Sequence, residues 1–352
     1  MEQTNVHVET LSFVLYILLI LMLFLMTFVI AVSYFKYISL VKLTNWKRIV
    51  EDKLASFIVE GPQEILEDQE FLKKIRNRHF KNTLLEALVA AHRKFSGQAR
   101  KDLGELFNSL NLETEVWTKI NSGKPHLISV GIQDLALVSG VNRASELERF
   151  LRHSSILVRH EAQFATVNFL GFEGLNFLNS LEYSLSDWQQ LRLLRAIKEV
   201  PTDGEQRLQT WLNSSNFSIV IFTLRVLKKF QLFSFYDAVQ PLMQHRLDSV
   251  RIEVIAVMNA LGGTTLTADL LRLYPSQPKL VQYEILKVFR GLRDKDTAYL
   301  LRDLLEHHPE PAFQILSAEI LLSIGYGDYL LQLAEKHGAT NRIDQIIKHA
   351  FK

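Results

Sequence analysis

A repeating pattern of apolar residues constrains the fold of this chain more than any other feature of its sequence. Beyond residue 62, apolar residues follow one another at spacings of three and four, which is typical of one face of an α-helix, and strand-like alternation is scarce. The apolar pattern divides into pairs of helices, and the second helix of each pair is predicted to start at intervals of 31, 30, 31, 31 and 32 residues. Their anchor residues are Val158, Gln189, Ile219, Val250, Val281 and Phe313. A constant period with two helices per unit predicts stacked helix pairs that share their apolar faces.

The starts of these predicted second helices resemble those of the HEAT-repeat, armadillo-like family. Asp248-Ser249-Val250-Arg251 matches the family's Asp followed by Val-Arg, and Val158-Arg159-His160-Glu161-Ala162 matches it in part. The arginine position departs from the family pattern in the other copies, where it is Gln190, Val220, Gln282 or Gln314. The resemblance covers residues 145–337 and, more weakly, 64–144, where Leu127 to Gly140 is the candidate for an earlier second helix.

The resemblance implies an all-α, HEAT-like, armadillo-like α-solenoid of about 6–8 helix pairs. The apolar stretch described below adds one N-terminal transmembrane helix before it. In that family the Asp and Arg pair between neighbouring repeats. The resemblance therefore implies that Arg159, Asp248 and Arg251 are structural stacking residues. It does not indicate a function, because this fold has many unrelated roles.

A single uncharged stretch near the N-terminus predicts a membrane-spanning helix. From Thr10 to Phe35 there are 26 residues without a charge, and about 20 such residues cross a hydrocarbon core roughly 30 Å thick. The alternatives are a buried core helix and a signal peptide cleaved near Ala31-Val32-Ser33. The residues before the stretch are acidic rather than basic, and the stretch is longer than a usual signal-peptide core, so an anchor is favoured. The expected domains are a non-cytoplasmic segment 1–10, a transmembrane helix 11–35, a juxtamembrane amphipathic helix 36–62 and a HEAT-like domain 63–352.

The charges that flank this stretch predict its orientation. Five cations, Lys36, Lys42, Lys47, Arg48 and Lys53, follow the stretch and none precedes it. The positive-inside rule then places the large domain in the cytoplasm, and we expect a single-pass protein of a bacterial inner membrane. Trp46, Lys47 and Arg48 are expected at the membrane interface. The apolar stripe within 36–62 is predicted either to lie on the membrane or to pack on the following domain, and Gly61-Pro62 is predicted to end it.

Charge and composition exclude several classes of site. Residues 36–352 carry 40 Lys and Arg against 36 Asp and Glu, a net charge of +4, which makes nucleic acid an unlikely partner. The chain has no cysteine, which excludes disulfides, thiolate metal sites and cysteine nucleophiles. His160-Glu161 begins like a zinc-protease helix, but Phe164 stands where the second histidine would be. We expect no catalytic residue, metal, cofactor or small-molecule substrate.

Cations recur at two positions of the predicted second helices. Counted from the anchors, position +6 is Arg195, Arg225 or Lys287, and position +9 is Lys198, Lys228 or Arg290. Stacking would align these six residues, which we call the basic rows, into a strip for an anionic partner such as an acidic protein segment, phospholipid headgroups or a polyphosphate. The alternative is an ordinary solvated helix face.

Two functional hypotheses follow. The first is a membrane-tethered scaffold that binds a cytoplasmic or membrane protein and has no catalytic activity. The alternative is a HEAT-like enzyme, or a module that binds nucleic acid or another polyanion through the basic rows, with Asp187, Trp188 and Trp211 nearby in the sequence.

Overall fold

The structure is a computed structural model that describes residues 2–61, 63–139, 142–337 and 342–351. It divides into two compact units, Met1–Ala165 and Thr166–Lys352. Within the described ranges every regular element is helical and there is no strand. This confirms the all-helical prediction for those residues. Pro62 and Gly140, which close two predicted segments, lie outside them.

The first unit contains one very long helix and a group of shorter ones. Its helices are α1 (Glu2–Glu60), α2 (Gln63–Glu67), α3 (Gln69–Ile75), α4 (Arg78–Lys94), α5 (Gly97–Ser109), α6 (Glu113–Ile120), α7 (Pro125–Val138) and α8 (Ala144–Leu147), and the unit boundary falls within α9 (Ile156–Leu170). Helix α4 packs against α1, α5 and α7, and α6 packs against α7. The helix predicted from Leu127 is therefore present as α7.

Helix α1 joins two segments that the sequence predicted separately. It continues without a break through residues 35 and 36 and ends at Glu60, where Gly61 adopts a φ of +99° that only glycine tolerates easily. Its most apolar 18-residue window has a mean hydropathy of 2.7, and none of that window is buried. Further along the same helix, Val50, Leu54 and Phe57 are buried. The later part of α1 therefore packs on the folded unit.

The second unit alternates short first helices with longer second helices. Its helices are α10 (Asp187–Ala196), α11 (Gly204–Leu212), α12 (Phe217–Phe230), α13 (Tyr236–Val239), α14 (Asp248–Leu261), α15 (Leu266–Leu273), α16 (Lys279–Leu292), α17 (Ala298–His307), α18 (Pro311–Ser323), α19 (Gly327–His337) and α20 (Arg342–Ala350). A 3-10 segment, Gly171–Ser180, takes the place of the first helix before α10. Successive second helices pack on one another from α10 to α18, and α18 packs on α20.

The predicted period places all six second helices. Helices α9, α10, α12, α14, α16 and α18 each begin two residues before the predicted anchor. The anchors themselves are buried in every case. Helix α12 is the most deeply enclosed of the six and buries nine of its 14 residues, including Phe222 and Leu227.

A side chain five residues before the anchor closes the turn that leads into four of these helices. The Nδ1 atoms of His153, His245 and His308 accept hydrogen bonds of 3.0, 3.1 and 3.2 Å from the backbone N–H two residues later. At the same position Ser214 accepts one through Oγ at 3.2 Å. The ring of His308 thus satisfies a backbone donor in the turn before α18.

Candidate functional site

The predicted stacking residues contact neighbouring backbone and side chains, but not in the pattern that the resemblance implies. Arg251 donates through Nε to the carbonyl of His245 at 2.5 Å and through Nη1 to Gln277 of the next repeat at 3.2 Å. At the equivalent position Arg159 donates to the carbonyl of His153 at 2.9 Å. Among the described residues Asp248 forms no ion pair with Arg251 or with a neighbouring repeat, whereas Arg251 reaches Gln277 of the next repeat. The structural stacking role of Arg159, Asp248 and Arg251 stays a prediction.

Arg225 of the basic rows is the centre of a network that joins three second helices. Its Nη1 lies 2.8 Å from the Asp187 carboxylate of α10 and 3.0 Å from Gln190 Oε1, and its Nε lies 3.2 Å from Glu253 of α14. The guanidinium thus has partners on both sides of α12. A planar donor group that is divided between three acceptors stabilises the stack of helices, and it has little capacity left for an outside ligand.

Three further cations of the basic rows also have carboxylate partners. Lys228 lies 2.8 Å from Glu253, and Arg290 of α16 lies 3.6 Å from Glu319 of α18. Lys287 pairs with Glu284 of its own helix at 2.7 Å. On α12 and α16 the positive charges of the basic rows therefore alternate with negative charges, which include the carboxylates of Glu253 on α14 and Glu319 on α18. This arrangement does not favour a continuous strip for nucleic acid or a polyphosphate.

Arg195 and Lys198 differ from the other four cations. Both are exposed, and within the part of the chain that the structure describes neither has a hydrogen-bond or ion-pair partner. Helix α10 ends at Ala196 and the chain turns to extended backbone at Ile197. Lys198 therefore follows the helix end and does not occupy the helical +9 position that the period predicted.

Lys229 of α12 explains how α10 can end early. Its Nζ lies 2.6 Å from the carbonyl of Leu194 and 2.7 Å from that of Ile197. These carbonyls belong to the C-terminal end of α10, where a cation is favourable. Partial burial at this position lowers the pKa of Lys229. The sequence reasoning missed this residue, which lies one position after Lys228.

The outward side of α10 carries two large apolar residues in addition to its cations. The side chains of Trp188 and Leu191 are 67% and 48% exposed. The opposite side of the helix buries Gln189, Gln190 and Leu193. We call Trp188, Leu191, Arg195 and Lys198 the α10 stripe. The sequence showed a tryptophan near the rows, but only the structure shows that its ring is in solvent.

The predicted membrane-interface residues lie on the exposed part of α1, just before the segment that packs on α4. Trp46 is half-buried, and its ring meets the Phe80 ring of α4 edge-on at 5.7 Å between centroids. The Nζ of Lys42 lies 4.8 Å from the centre of the Trp46 ring. Lys47 and Arg48 are exposed, and Arg48 donates a hydrogen bond to Asn45 at 3.4 Å. Trp46 thus connects α1 to the folded unit, and the location of Trp46, Lys47 and Arg48 at a membrane interface stays a prediction.

An ion pair strengthens the same junction between α1 and the rest of the first unit. Lys53 Nζ lies 3.0 Å from Asp68 Oδ2, and the other oxygen of this carboxylate accepts the backbone N–H of Phe71 at 2.9 Å. The hydrogen bond from Phe71, and then Lys53, hold the pKa of Asp68 below its usual range. Asp68 is at once the N-cap of α3 and a partner of α1.

The first unit also has an open groove of about 590 Å³. Trp117, Glu113 and Arg143 are among the residues that line it. Arg143 lies 2.9 Å from Glu113 and 3.2 Å from Glu146, and these hydrogen bonds, chiefly that with Glu113, raise the pKa of the guanidinium. The cation is thus neutralised by the wall of the groove itself. Within the described ranges, no three or more His, Asp and Glu side chains are grouped to hold a metal ion.

Comparisons with known proteins give little further information. No family model matches the chain, and no curated protein matches it. One solved structure, from work on tubulin recruitment and assembly by microtubule polymerases with tumor overexpressed gene (TOG) domain arrays, is similar to 85% of this chain over 90% of its own length. Its sequence identity is 14% and its TM-score is 0.26. The account of this chain therefore rests on its own helices and contacts.

Proposed function

We propose that this chain is a membrane-tethered scaffold that binds a protein partner and has no catalytic activity of its own. Helix α1 is the anchor, the first unit holds the anchor, and the second unit presents the binding surface. One observation supports this division of labour most strongly: α1 is both the exposed apolar helix and, from Val50 onward, a packed element of the first unit.

The continuity of α1 has a mechanical consequence. The 14 residues from Lys36 to Ile49 separate the uncharged stretch from the first buried residue, and at a rise of 1.5 Å per residue they span about 21 Å. Because this spacer is helical and Trp46 packs on Phe80, the domain is held at a short, fixed distance from the bilayer. Tethering raises the effective concentration of a bound partner near the membrane.

The exposure of α1 favours an anchor over a core helix. A core helix buries its apolar side chains, whereas those of the apolar window of α1 are all exposed to solvent in the folded chain. About 26 uncharged residues left in water would carry a large hydrophobic cost, at roughly 25 cal/mol for each Å² of apolar surface. A bilayer removes that cost. In this proposal the domain lies on the cytoplasmic side of the membrane and the anchor is not cleaved.

The experiment makes the anchor polar without deleting any residue. Leu18→Arg, Met22→Arg and Leu25→Arg, combined in the full chain, place three charges in the apolar stretch, and each costs about 2.5–3.5 kcal/mol at the centre of a membrane helix. The control carries Leu18→Ile, Met22→Leu and Leu25→Ile. We expect the control to remain in the membrane fraction at full mass, and the arginine variant to leave it.

Proximity labelling of both variants in the native cell then tests the scaffold. The proposed function predicts that the control labels a reproducible set of proteins and that the arginine variant, although folded, loses this set. An arginine variant that stays in the membrane, or one that keeps the labelled set after release, contradicts the proposal. Cleavage of the control near residue 31 would also contradict it.

A further inference from the structure

The α10 stripe combines exposed apolar surface with unpaired positive charge on one side of a helix. At 100° per residue, Trp188, Leu191 and Arg195 lie within about 60° of one another. Lys198 follows two residues after the helix ends. The side of α10 that carries Trp188, Leu191 and Arg195 lies opposite its buried side. Lys198 lines a cavity with Phe169, Glu173 and Pro201.

The surroundings of the stripe show that its cations are not used in stacking. On α12 and α16 the residues at the same repeat positions are paired with Asp187, Glu253, Glu284 or Glu319. Arg195 and Lys198 have no such partner among the described residues. Two cations of the rows are therefore available to a ligand, and Arg195 lies about two helical turns from the exposed Trp188 on the same side of α10.

This combination is typical of a protein-binding surface. Tryptophan and arginine are enriched among the few interface residues that contribute most of the binding free energy. Trp188 offers a rigid apolar face, and Arg195 offers a fork of donors that matches a carboxylate. Burying the exposed part of Trp188 and Leu191 under a partner would remove apolar area from water, which is favourable.

We propose that the α10 stripe is the docking surface for an acidic segment of the partner protein. A large apolar side chain of the segment packs on Trp188 and Leu191, and neighbouring carboxylates of the segment pair with Arg195 and Lys198. This inference rests on the proposed function, because it gives the position and the chemistry of the partner that the scaffold holds.

The same stripe fits anionic lipid less well than an acidic peptide. A lipid surface attracts a juxtamembrane segment by about 1 kcal/mol per cation, and recognition uses clusters of about four to eight cations. The stripe supplies two. The exposed carboxylates of Asp187 and Glu199 flank it, so this surface lacks the cluster of positive charge that recognition of a lipid surface requires.

The test selects peptides on the full chain, reconstituted in nanodiscs of neutral lipid. The probe is a phage-displayed library of random 12-residue peptides, followed by titration of the best synthetic peptide. We expect the selected peptides to combine Asp or Glu with Trp, Phe or Leu. Replacing their acids by Asn and Gln should weaken binding at least about tenfold, the size of a hot-spot effect.

Variants of the chain then locate the binding surface. Trp188→Ala and Arg195→Glu should each weaken binding of the selected peptide about tenfold or more. Lys287→Glu is the matched control, because Lys287 lies at the same repeat position on α16 and is already paired with Glu284. It should leave the affinity unchanged.

Four results would overturn the inference. The first is a selection that yields no acidic peptides, and the second is an affinity that neither α10 variant changes. The third is an equal loss of affinity with Lys287→Glu. The fourth is displacement of the peptide when the nanodiscs contain phosphatidylserine, which would assign the stripe to lipid. The labelling experiment distinguishes failure of the docking site from failure of the proposed function. If the labelled set depends on α1 but not on Trp188 or Arg195, the scaffold stands and the docking site is wrong.

Discussion

Helices α10 and α12 occupy equivalent places in consecutive repeats and carry similar cations, yet their surroundings differ. Helix α12 buries nine of its 14 residues, and its Arg225 is divided between Asp187, Gln190 and Glu253. Helix α10 buries only Gln189, Gln190 and Leu193, and its Arg195 is unpaired within the described chain. The same residue type at the same repeat position therefore stabilises the stack in one helix and is free for a ligand in the next.

The largest predicted difference between the two helices concerns their aromatic residues. Phe222 of α12 is fully buried, so Phe222→Ala should lower the free energy of unfolding by about 3–5 kcal/mol. Trp188 of α10 is 67% exposed, and Trp188→Ala should change the free energy of unfolding by no more than about 0.5 kcal/mol. Chemical denaturation of the two full-length variants measures both values. A loss above about 2 kcal/mol for Trp188→Ala would make this residue structural and remove it from the docking surface.

A second prediction compares the two arginines. Arg225→Met removes the hydrogen bonds to Gln190 and Glu253 and the ion pair with Asp187. Among the described residues Lys228 remains as the cation paired with Glu253, so we expect the free energy of unfolding to fall by about 1–2 kcal/mol. Arg195→Met removes no contact and should be neutral within about 0.5 kcal/mol. The denaturation midpoints of the two variants, each compared with that of the natural chain, test this prediction. Equal losses in both variants would mean that Arg195 has a structural role too.

A third prediction concerns the ends of the helices. Helix α12 ends with Gln231 in the left-handed region at a φ of +49°, whereas α10 ends by turning to extended backbone. Gln231→Gly removes the steric cost of a side chain in that region and should raise stability by about 0.5–1 kcal/mol. The matched change at the end of α10, Ile197→Gly, should lower stability. Ile197 is buried, and its backbone is extended, so glycine relieves no strain there. A destabilised Gln231→Gly variant would refute this account of the helix end.

The smallest predicted effect depends on pH and concerns the segments that flank α10. Hydrogen bonds from Arg207 hold the pKa of Glu173 below its usual value of 4.5. A carboxylate with a depressed pKa stabilises the fold above that value, and the contribution is lost as the pH falls through the folded-state pKa. Glu173→Gln should therefore lower the melting temperature slightly at pH 7, and this difference should shrink as the pH falls below 4.5.

The control for this pH dependence is Glu205→Gln on α11. Glu205 is exposed, and it forms no ion pair in the described part of the chain. The melting temperature of this variant should follow that of the natural chain at every pH. If Glu173→Gln shows the same pH profile as Glu205→Gln, the pairing with Arg207 does not contribute to stability.

The start of each second helix could be predicted from the sequence because burial enforces the period. Each repeat must bury its anchor against the previous repeat, so Val158, Val250 and their equivalents recur at nearly constant spacing. The same reasoning failed for the end of α10. The carbonyls of Leu194 and Ile197 are satisfied by Lys229, which lies more than 30 residues away in the sequence.

The candidate site was only partly predictable, for a related reason. The spacing of the cations is a property of each helix, and the sequence shows it directly. Whether a cation is paired depends on a carboxylate from another helix, as with Arg290 and Glu319. Likewise, the apolar residues within 36–62 allowed two predictions, packing on the membrane or packing on the domain. The burial of Val50 and Phe57, together with the contact between Trp46 and Phe80, shows that α1 packs on the first unit.

The most direct test of a membrane-tethered scaffold with an open α10 surface uses the natural absence of cysteine from the chain. Leu21→Cys in α1 and Arg195→Cys in α10 are made separately in the full chain, and membranes opened to both sides are treated with a water-soluble maleimide. The account predicts that Cys at position 195 reacts readily with and without detergent, whereas Cys at position 21 reacts only after detergent is added. Rapid labelling at position 21 in intact bilayers, or protection at position 195 in the absence of a partner, would contradict it.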